Sequence, residues 1–182
     1  MSQVIYHGKT ASGKEVILRY PLLSDAPEMQ KYINTLSLEQ TFIRFQGEQL
    51  TVEQEEEWIK GILDKFEKNT GVTLFAIVDD QIAGVCDINM LGLVESHIGL
   101  FGLTINKNFR NEKLGQLLTE KVLELATSLM PQMKIVTLSV FANNPAAIHV
   151  YEKFGFKHYG NLPNGILHRG EYVDHLYMYK QV

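Results

Sequence analysis

Between Ile105 and Ala126 the chain passes from an apolar run, through a polar and basic loop, into an amphipathic helix: INKNFRNEKLGQLLTEKVLELA. Leu114, Leu117, Leu118, Val122, Leu125 and Leu129 recur at helical spacing, and Pro131 lies just past the end. The run before the loop, His97 to Ile105, reads as a strand with Phe101, Leu103 and Ile105 on one face. A strand that feeds a helix in this way aims the helix's unbonded first N–H groups, and the positive end of its dipole, into the loop. That arrangement suits an anion, above all a phosphate. Arg110 and Lys113 add positive charge, and Gly115 lets another group approach the backbone closely. On chemistry alone, a solvated turn with surface charges is an equal reading.

The rest of the chain supplies more strands than helices. Glu15 to Tyr20 reads as a strand, and Ser24 or Asp25 caps a helix that carries Met29, Tyr32, Ile33 and Leu36 on one face. The sequence TVEQ is a capping box with Thr51 as N-cap and Gln54 reaching back. Trp58, Ile59, Ile62, Leu63 and Phe66 form the apolar face of the helix it opens. VTLFAIVDDQIAGVCDINML reads as two strands around a turn at Asp79 to Gln81. Lys134 to Phe141 is a β-branched strand, and NPAAIHVYEKFG is a short helix with Pro145 at its first position and Gly155 at its end. EYVDHLYMYK reads as a last strand. The expectation is a single α/β (α+β) domain over residues 1–182. Its mixed, mostly antiparallel, twisted sheet has about seven strands and is flanked by about four helices.

Composition removes several function classes. Cys86 is the only cysteine, so neither an internal disulfide nor a Cys-rich metal site forms, and the histidines lack metal-like spacing. The net charge of -4 argues against broad nucleic-acid binding. No apolar run reaches membrane-spanning length, and MSQVIYHGKT lacks a secretory core, so a cytoplasmic protein is expected. HGKT resembles the end of a Walker A loop, but Gln3 stands where the required glycine would be, and no G-x-G-x-x-G is present.

FGLTINKNFRNEKLGQLLTEKVLELA resembles motif A of the GNAT superfamily of N-acetyltransferases: a strand, then Arg/Gln-x-x-Gly-x-Gly/Ala, then a helix. Here the pattern reads Arg110-Asn111-Glu112-Lys113-Leu114-Gly115, with Lys113 in place of its first glycine. VFANNPAAIHVYEKFGF resembles a second block of the same family, with Asn144, Ala147, Tyr151, Glu152, Lys153, Gly155 and Phe156 in place. The order of strands and helices also matches, so the likeness covers nearly the whole chain.

The resemblance implies acetyl-CoA as cosubstrate, no metal, and direct transfer of its acetyl group to a primary amine of a small molecule or peptide. It implies a splayed central strand pair, with the pantetheine arm along Leu103, Thr104 and Ile105. The pyrophosphate falls on Arg110, Asn111, Glu112, Lys113, Leu114, Gly115 and Gln116, and Asn144, Ala147 and Tyr151 complete the cofactor site. Tyr151 matches the position that protonates the departing thiolate. The base is left among Glu95, the first choice, His97 and Asp87. Cys86 lies in an apolar strand with no base beside it, which favours direct attack over an acyl-enzyme. The acceptor site is expected from the loop Ser37 to Leu50, with Phe42, Arg44 and Phe45, and from the segment before the last strand, where Arg169 or Arg44 reads an acceptor carboxylate. Proteins of this fold often form homodimers. The alternative from another class is a non-catalytic acyl-CoA-binding module, which Lys113 favours and Tyr151 opposes.

Overall fold

The apolar run from Gly71 to Met90 folds back on itself at Asp79 and Asp80. Both are left-handed, with φ of 50° and 58°, as a two-residue hairpin turn matched to strand twist requires. The result is β3 (Gly71–Val78) and β4 (Gln81–Met90), whose inner positions are almost all buried. The computed structural model describes residues 3–182. Around this hairpin it arranges β1 (Val4–Lys9), β2 (Glu15–Arg19), β5 (Ile98–Ile105), β6 (Ile135–Phe141), β7 (Lys157–His168) and β8 (Glu171–Gln181) into one sheet of order β1-β2-β3-β4-β5-β6-β8-β7. Every neighbouring pair is antiparallel except β5 and β6.

Four α-helices cover the sheet: α1 (Ala26–Leu38), α2 (Val52–Glu67), α3 (Leu114–Leu129) and α4 (Pro145–Lys153). Two clusters of buried side chains separate the faces. Met29, Tyr32 and Leu36 of α1 and Ile59 of α2 meet Phe75, Ile82 and Val85 on one face. Leu114, Leu118, Val122 and Ala126 of α3 and Tyr151 of α4 meet Leu74, Cys86, Ile88, Phe101 and Leu138 on the other. Burying a side chain such as Leu118 or Val122 contributes about 2 kcal/mol, so packing, more than intrinsic propensity, holds α3 on the sheet. Among the described residues no helix is long and apolar enough to cross a membrane.

The mixed, mostly antiparallel sheet and the four helices agree with the expected fold class. The eighth strand is a difference. β1 alternates weakly and is half-exposed at the sheet edge, and β7 contains Gly160, Pro163 and Gly165. β7 pairs with β8 through two irregularities, between His158 and Gly160 and between Leu162 and Ile166. The second holds Pro163, a residue that sheets accept at edges and bulges.

One capping expectation holds and two local expectations change. The Thr51 capping box forms, with the Gln54 N–H donating to Thr51 Oγ1 at 3.3 Å and the Thr51 N–H donating to Gln54 Oε1 at 2.9 Å. Asp25 stands at the N-cap of α1 without a side-chain cap, because its carboxylate accepts both guanidinium arms of Arg19 at 2.7 and 2.8 Å. Trp58 does not join the buried face of α2. It is 39% exposed and stacks near Phe75 at the rim of a cavity.

Candidate active site: a gap in the sheet beside a loop of free amides

β5 and β6 pair only at Ile98 with Ile135, Gly99 with Val136 and Leu100 with Thr137. Beyond Leu100 they part. β5 stays bonded to β4 as far as Ile105, and β6 stays bonded to β8 as far as Phe141. The N–H of Asn106 donates to Ala83 O and that of Leu91 to Ile98 O. By the alternation of an antiparallel ladder, the even-numbered residues of β5 therefore bond β4. The main-chain groups of Phe101, Leu103 and Ile105 point the other way, into the gap. Thr104 does not offer its backbone there, and its hydroxyl instead lies 2.8 Å from that of Tyr32.

The loop between β5 and α3 stands at the open end of this gap. Among the described residues, no N–H from Asn111 to Gln116 has a protein acceptor. Asn111 and Lys113 are both left-handed, with φ of 64° and 62°. Glu112 turns its carboxylate away: Oε2 accepts from the Ser12 N–H at 2.8 Å, and its carbonyl accepts from the Ala11 N–H at 3.3 Å. The bond from the Ser12 N–H holds the Glu112 carboxyl below its ordinary range, and the two bonds together keep its charge off the amides. Leu114 sends its side chain into the core. At Gly115 the nearest neighbour of an added Cβ is Leu103 Cδ2 at 3.6 Å, an ordinary contact. The protein itself thus leaves the backbone open there.

Arg110 is engaged elsewhere. Its guanidinium donates to Glu39 Oε1 and Oε2 at 2.6 and 2.9 Å, and its Nε donates to Ile105 O at 3.3 Å. Lys153, matched in the second block but given no role there, is a second cation at this place: its Nζ donates to Gln116 Oε1 at 2.6 Å at the start of α3.

Across the mouth, Asn144 caps α4 by accepting from the Ala147 N–H at 3.3 Å, which leaves its amide donors free for another partner. Tyr151 is 6% exposed and packs edge-on against Phe101, with Phe156 beside it. Burial pushes its phenol well above the ordinary value, so the hydroxyl stays protonated. Cys86 is buried on the same face, and burial raises its thiol too, consistent with an inert residue.

The structure does not bring Glu95 to this place. Glu95 lies in an exposed turn, Leu93–Glu95, before the paired start of β5 and so at the closed end of the gap. His97 is exposed there as well. Of the two arginines proposed to read a carboxylate, Arg169 donates to the carbonyls of Gln40 at 3.1 Å and Glu39 at 3.2 Å, closing the C-terminal end of α1. Arg44 is exposed. Two histidines were missed because spacing carries no signal for them. His168 is buried between Phe42 and Phe141, with Nε2 2.9 Å from Gln40 O. His175 lies 3.2 Å from the Tyr177 hydroxyl.

A model of the acetyltransferase (GNAT) family matches residues 33–156. The chain belongs to that family. The L-amino acid N-acetyltransferase AaaT of Escherichia coli strain K12 is 30% identical over 106 residues, which cover 58% of this chain. The match spans 65% of that relative's length, just under two thirds. The crystal structure of a GNAT-family acetyltransferase from Streptococcus pneumoniae superposes with a TM-score of 0.83 at 29% identity, covering 92% of this chain and 99% of that one. The microcin C7 self immunity acetyltransferase MccE, crystallised with acetyl-CoA and AMP, shares the fold at a TM-score of 0.74 and 17% identity, with 92% of each chain covered.

For a GNAT protein the glycine of motif A that Lys113 replaces is a conformational residue. The left-handed backbone at Lys113 (φ 62°, ψ 10°) is one that glycine adopts without strain and an L-residue adopts at a cost of about 1–2 kcal/mol. Lys113 keeps the geometry and bears that cost. Lys113→Gly is therefore expected to raise the unfolding free energy by about 1 kcal/mol, once glycine's extra unfolded-chain entropy is subtracted. Urea titration of the two proteins measures it, and a loss of stability would show that the lysine side chain makes contacts worth more than the strain.

Proposed function

We propose that this GNAT protein transfers an acetyl group from acetyl-CoA to a primary amine by direct attack. The observation that carries the proposal is the open edge of β5 leading to a run of unpartnered amides at the start of α3. A pantetheine arm carries amide groups that complement an unpaired strand edge, and a diphosphate complements free N–H groups at a helix N-terminus. The fit is chemical as well as topological: the acidic side chain in the loop is turned away, and Gly115 leaves the backbone open where nothing in the protein needs the room.

On this reading the amides of Asn111 to Gln116 hold the diphosphate, with Lys113 and Lys153 adding charge at the mouth. The edge of Phe101, Leu103 and Ile105 orients the arm, and the free amide donors of Asn144 reach it from α4. Arg110 positions the loop through Glu39 instead of meeting phosphate with its side chain. Bound acetyl-CoA supplies a thioester carbonyl that an amine attacks. Tyr151, held protonated by its burial, gives a proton where the sulfur departs. The likeness to the L-amino acid N-acetyltransferase AaaT supports an amine as the acceptor.

The primary test follows thiol release from acetyl-CoA over a panel of amines, beside calorimetric titration with CoA. Gly115→Ala is expected to weaken CoA binding about tenfold or more by placing a methyl group on the cradle. It should leave the melting temperature unchanged or higher, because alanine favours a helix by about 0.5–1 kcal/mol over glycine. Unaltered CoA affinity in that variant would remove the diphosphate from this loop. Tyr151→Phe keeps the ring and its packing. It is expected to lower kcat about 100-fold, with CoA affinity within about twofold. A kcat near that of the unaltered protein would exclude Tyr151 as the proton donor.

A further inference from the structure

Consecutive residues of β4 face opposite sides of the sheet, and this separates Cys86 from Asp87. Cys86 lies among the side chains packed under α3 and α4, with Tyr151. Asp87 lies on the side covered by α2, where Trp58, Gly61, Ile62, Lys65, Thr73 and Asn89 join it around a cavity of about 160 Å³. Asp87 pairs in register with Gly102 of β5. A Cβ at Gly102 would sit 2.6 Å from Asp87 Oδ1, so the carboxylate lies directly over that glycine. Gly102 is the second residue past Leu100, where β5 and β6 have already parted. Counting on from the last paired residues, the level of Gly102 on the far wall is Ser139, which pairs with Tyr177 of β8. The Asn89 amide donates to Oδ2, and Oδ1 is left without a partner among the described residues.

We propose that Asp87 is the group that takes the proton from the acceptor amine, reaching it across Gly102 from the face of the sheet opposite Tyr151. The proposal rests on the acetyltransfer reading above. An ammonium acceptor sheds two protons. Asp87 passes the first to solvent, leaving the nitrogen lone pair free. As that pair forms the C–N bond, Asp87 takes the second proton. The C–S bond breaks with its electrons going to sulfur, which receives a proton from Tyr151. Tyr151 then recovers a proton from Asp87 through solvent. The sum is an amide, a free thiol and one released proton. The two groups have different neighbours because they stand on opposite faces of one gap: Tyr151 is packed against aromatic rings, and Asp87 lies among Asn89, Thr73 and the Lys65 ammonium.

Burial raises the Asp87 carboxyl to about 7, against smaller opposing effects of Lys65 and Asn89. A base of that strength works close to neutral pH. Because the folded value lies above the unfolded one, the folded protein binds the proton more tightly, and ionising Asp87 costs stability as pH rises from about 4 to about 7. Lys65 from α2 is the charged group facing Asp87, β5 contributes only Gly102, and β3 contributes the uncharged Thr73.

The test uses Asp87→Asn, which keeps the shape, with His175→Gln as a comparator on β8, behind the far wall of the gap. Thiol release is followed from pH 5.5 to 9 with the best amine of the panel, beside CoA titration and thermal melts at pH 5 and 8. The expected result is a kcat about 100-fold lower at pH 7 in Asp87→Asn, loss of the acid limb near pH 7, and CoA affinity within about twofold. The variant should also melt above the unaltered protein at pH 8 and gain much less at pH 5, a rise in stability that a merely structural role does not predict alongside lost rate. An Asp87→Asn protein that keeps its rate, or an acid limb that survives in it and vanishes in His175→Gln, overturns the assignment while leaving the acetyltransfer reading intact. An unaltered protein that binds CoA but releases no thiol with any amine sinks both.

Discussion

The parting of β5 from β6 after Leu100 is the constraint on which the rest of the structure depends. Each strand keeps a full ladder on its outer side, so the sheet survives the break, and strand twist carries the two walls apart. The cost falls on the inner edge, where Phe101, Leu103 and Ile105 present main-chain groups without strand partners. A backbone polar group buried without a partner costs about 1–3 kcal/mol. An edge of this kind persists in the middle of a sheet when water or a ligand can reach it. The gap also makes the sheet permeable. A group on the α3 and α4 face and a group on the α1 and α2 face can act on one point without meeting each other.

Much of this was legible because it depends on local rules. The amphipathic period of Leu114 to Leu129, the capping box at Thr51 and the turn at Asp79 all report their own surroundings, and all three form as read. The loop of free amides was legible for the same reason, since a strand, a polar loop and a helix N-terminus are contiguous in the chain. What was hidden depends on partners far away in sequence. β7 was not read as a strand because Pro163 and its flanking glycines oppose one, yet pairing with β8 overrides them at the edge. Arg110 looked like a phosphate ligand until Glu39, 71 residues away, claimed its guanidinium. Glu95 looked close to the chemistry because it is close to β5 in sequence. However, the parallel pairing of β5 with β6 begins at Ile98, which puts Glu95 at the shut end of the gap.

Lys113 shows how a departure from a motif is read once dihedrals are known. The glycine expected there supplies a left-handed backbone, and the lysine supplies the same backbone at a strain cost. The substitution therefore leaves the cradle's shape intact and changes its charge. That weakens the case for a non-catalytic module, which had Lys113 as its only support in the sequence.

The engagement of Arg110 connects the two halves of the site. Its guanidinium joins the loop before α3 to Glu39 and Thr41, just beyond α1. The carbonyls of Glu39 and Gln40 in turn accept from Arg169, and His168 Nε2 lies 2.9 Å from Gln40 O, at the turn between β7 and β8. Two segments distant in sequence thus converge on Glu39 and Gln40 at the end of α1. The Arg110–Glu39 pair is part-exposed, so its net contribution to stability is small, on the order of 0–1 kcal/mol. Its effect is geometric: a bidentate pair fixes orientation as well as distance. The loop proposed to hold the diphosphate, the end of α1 and the β7–β8 turn are therefore held in one frame, and a shift in one is felt by the others.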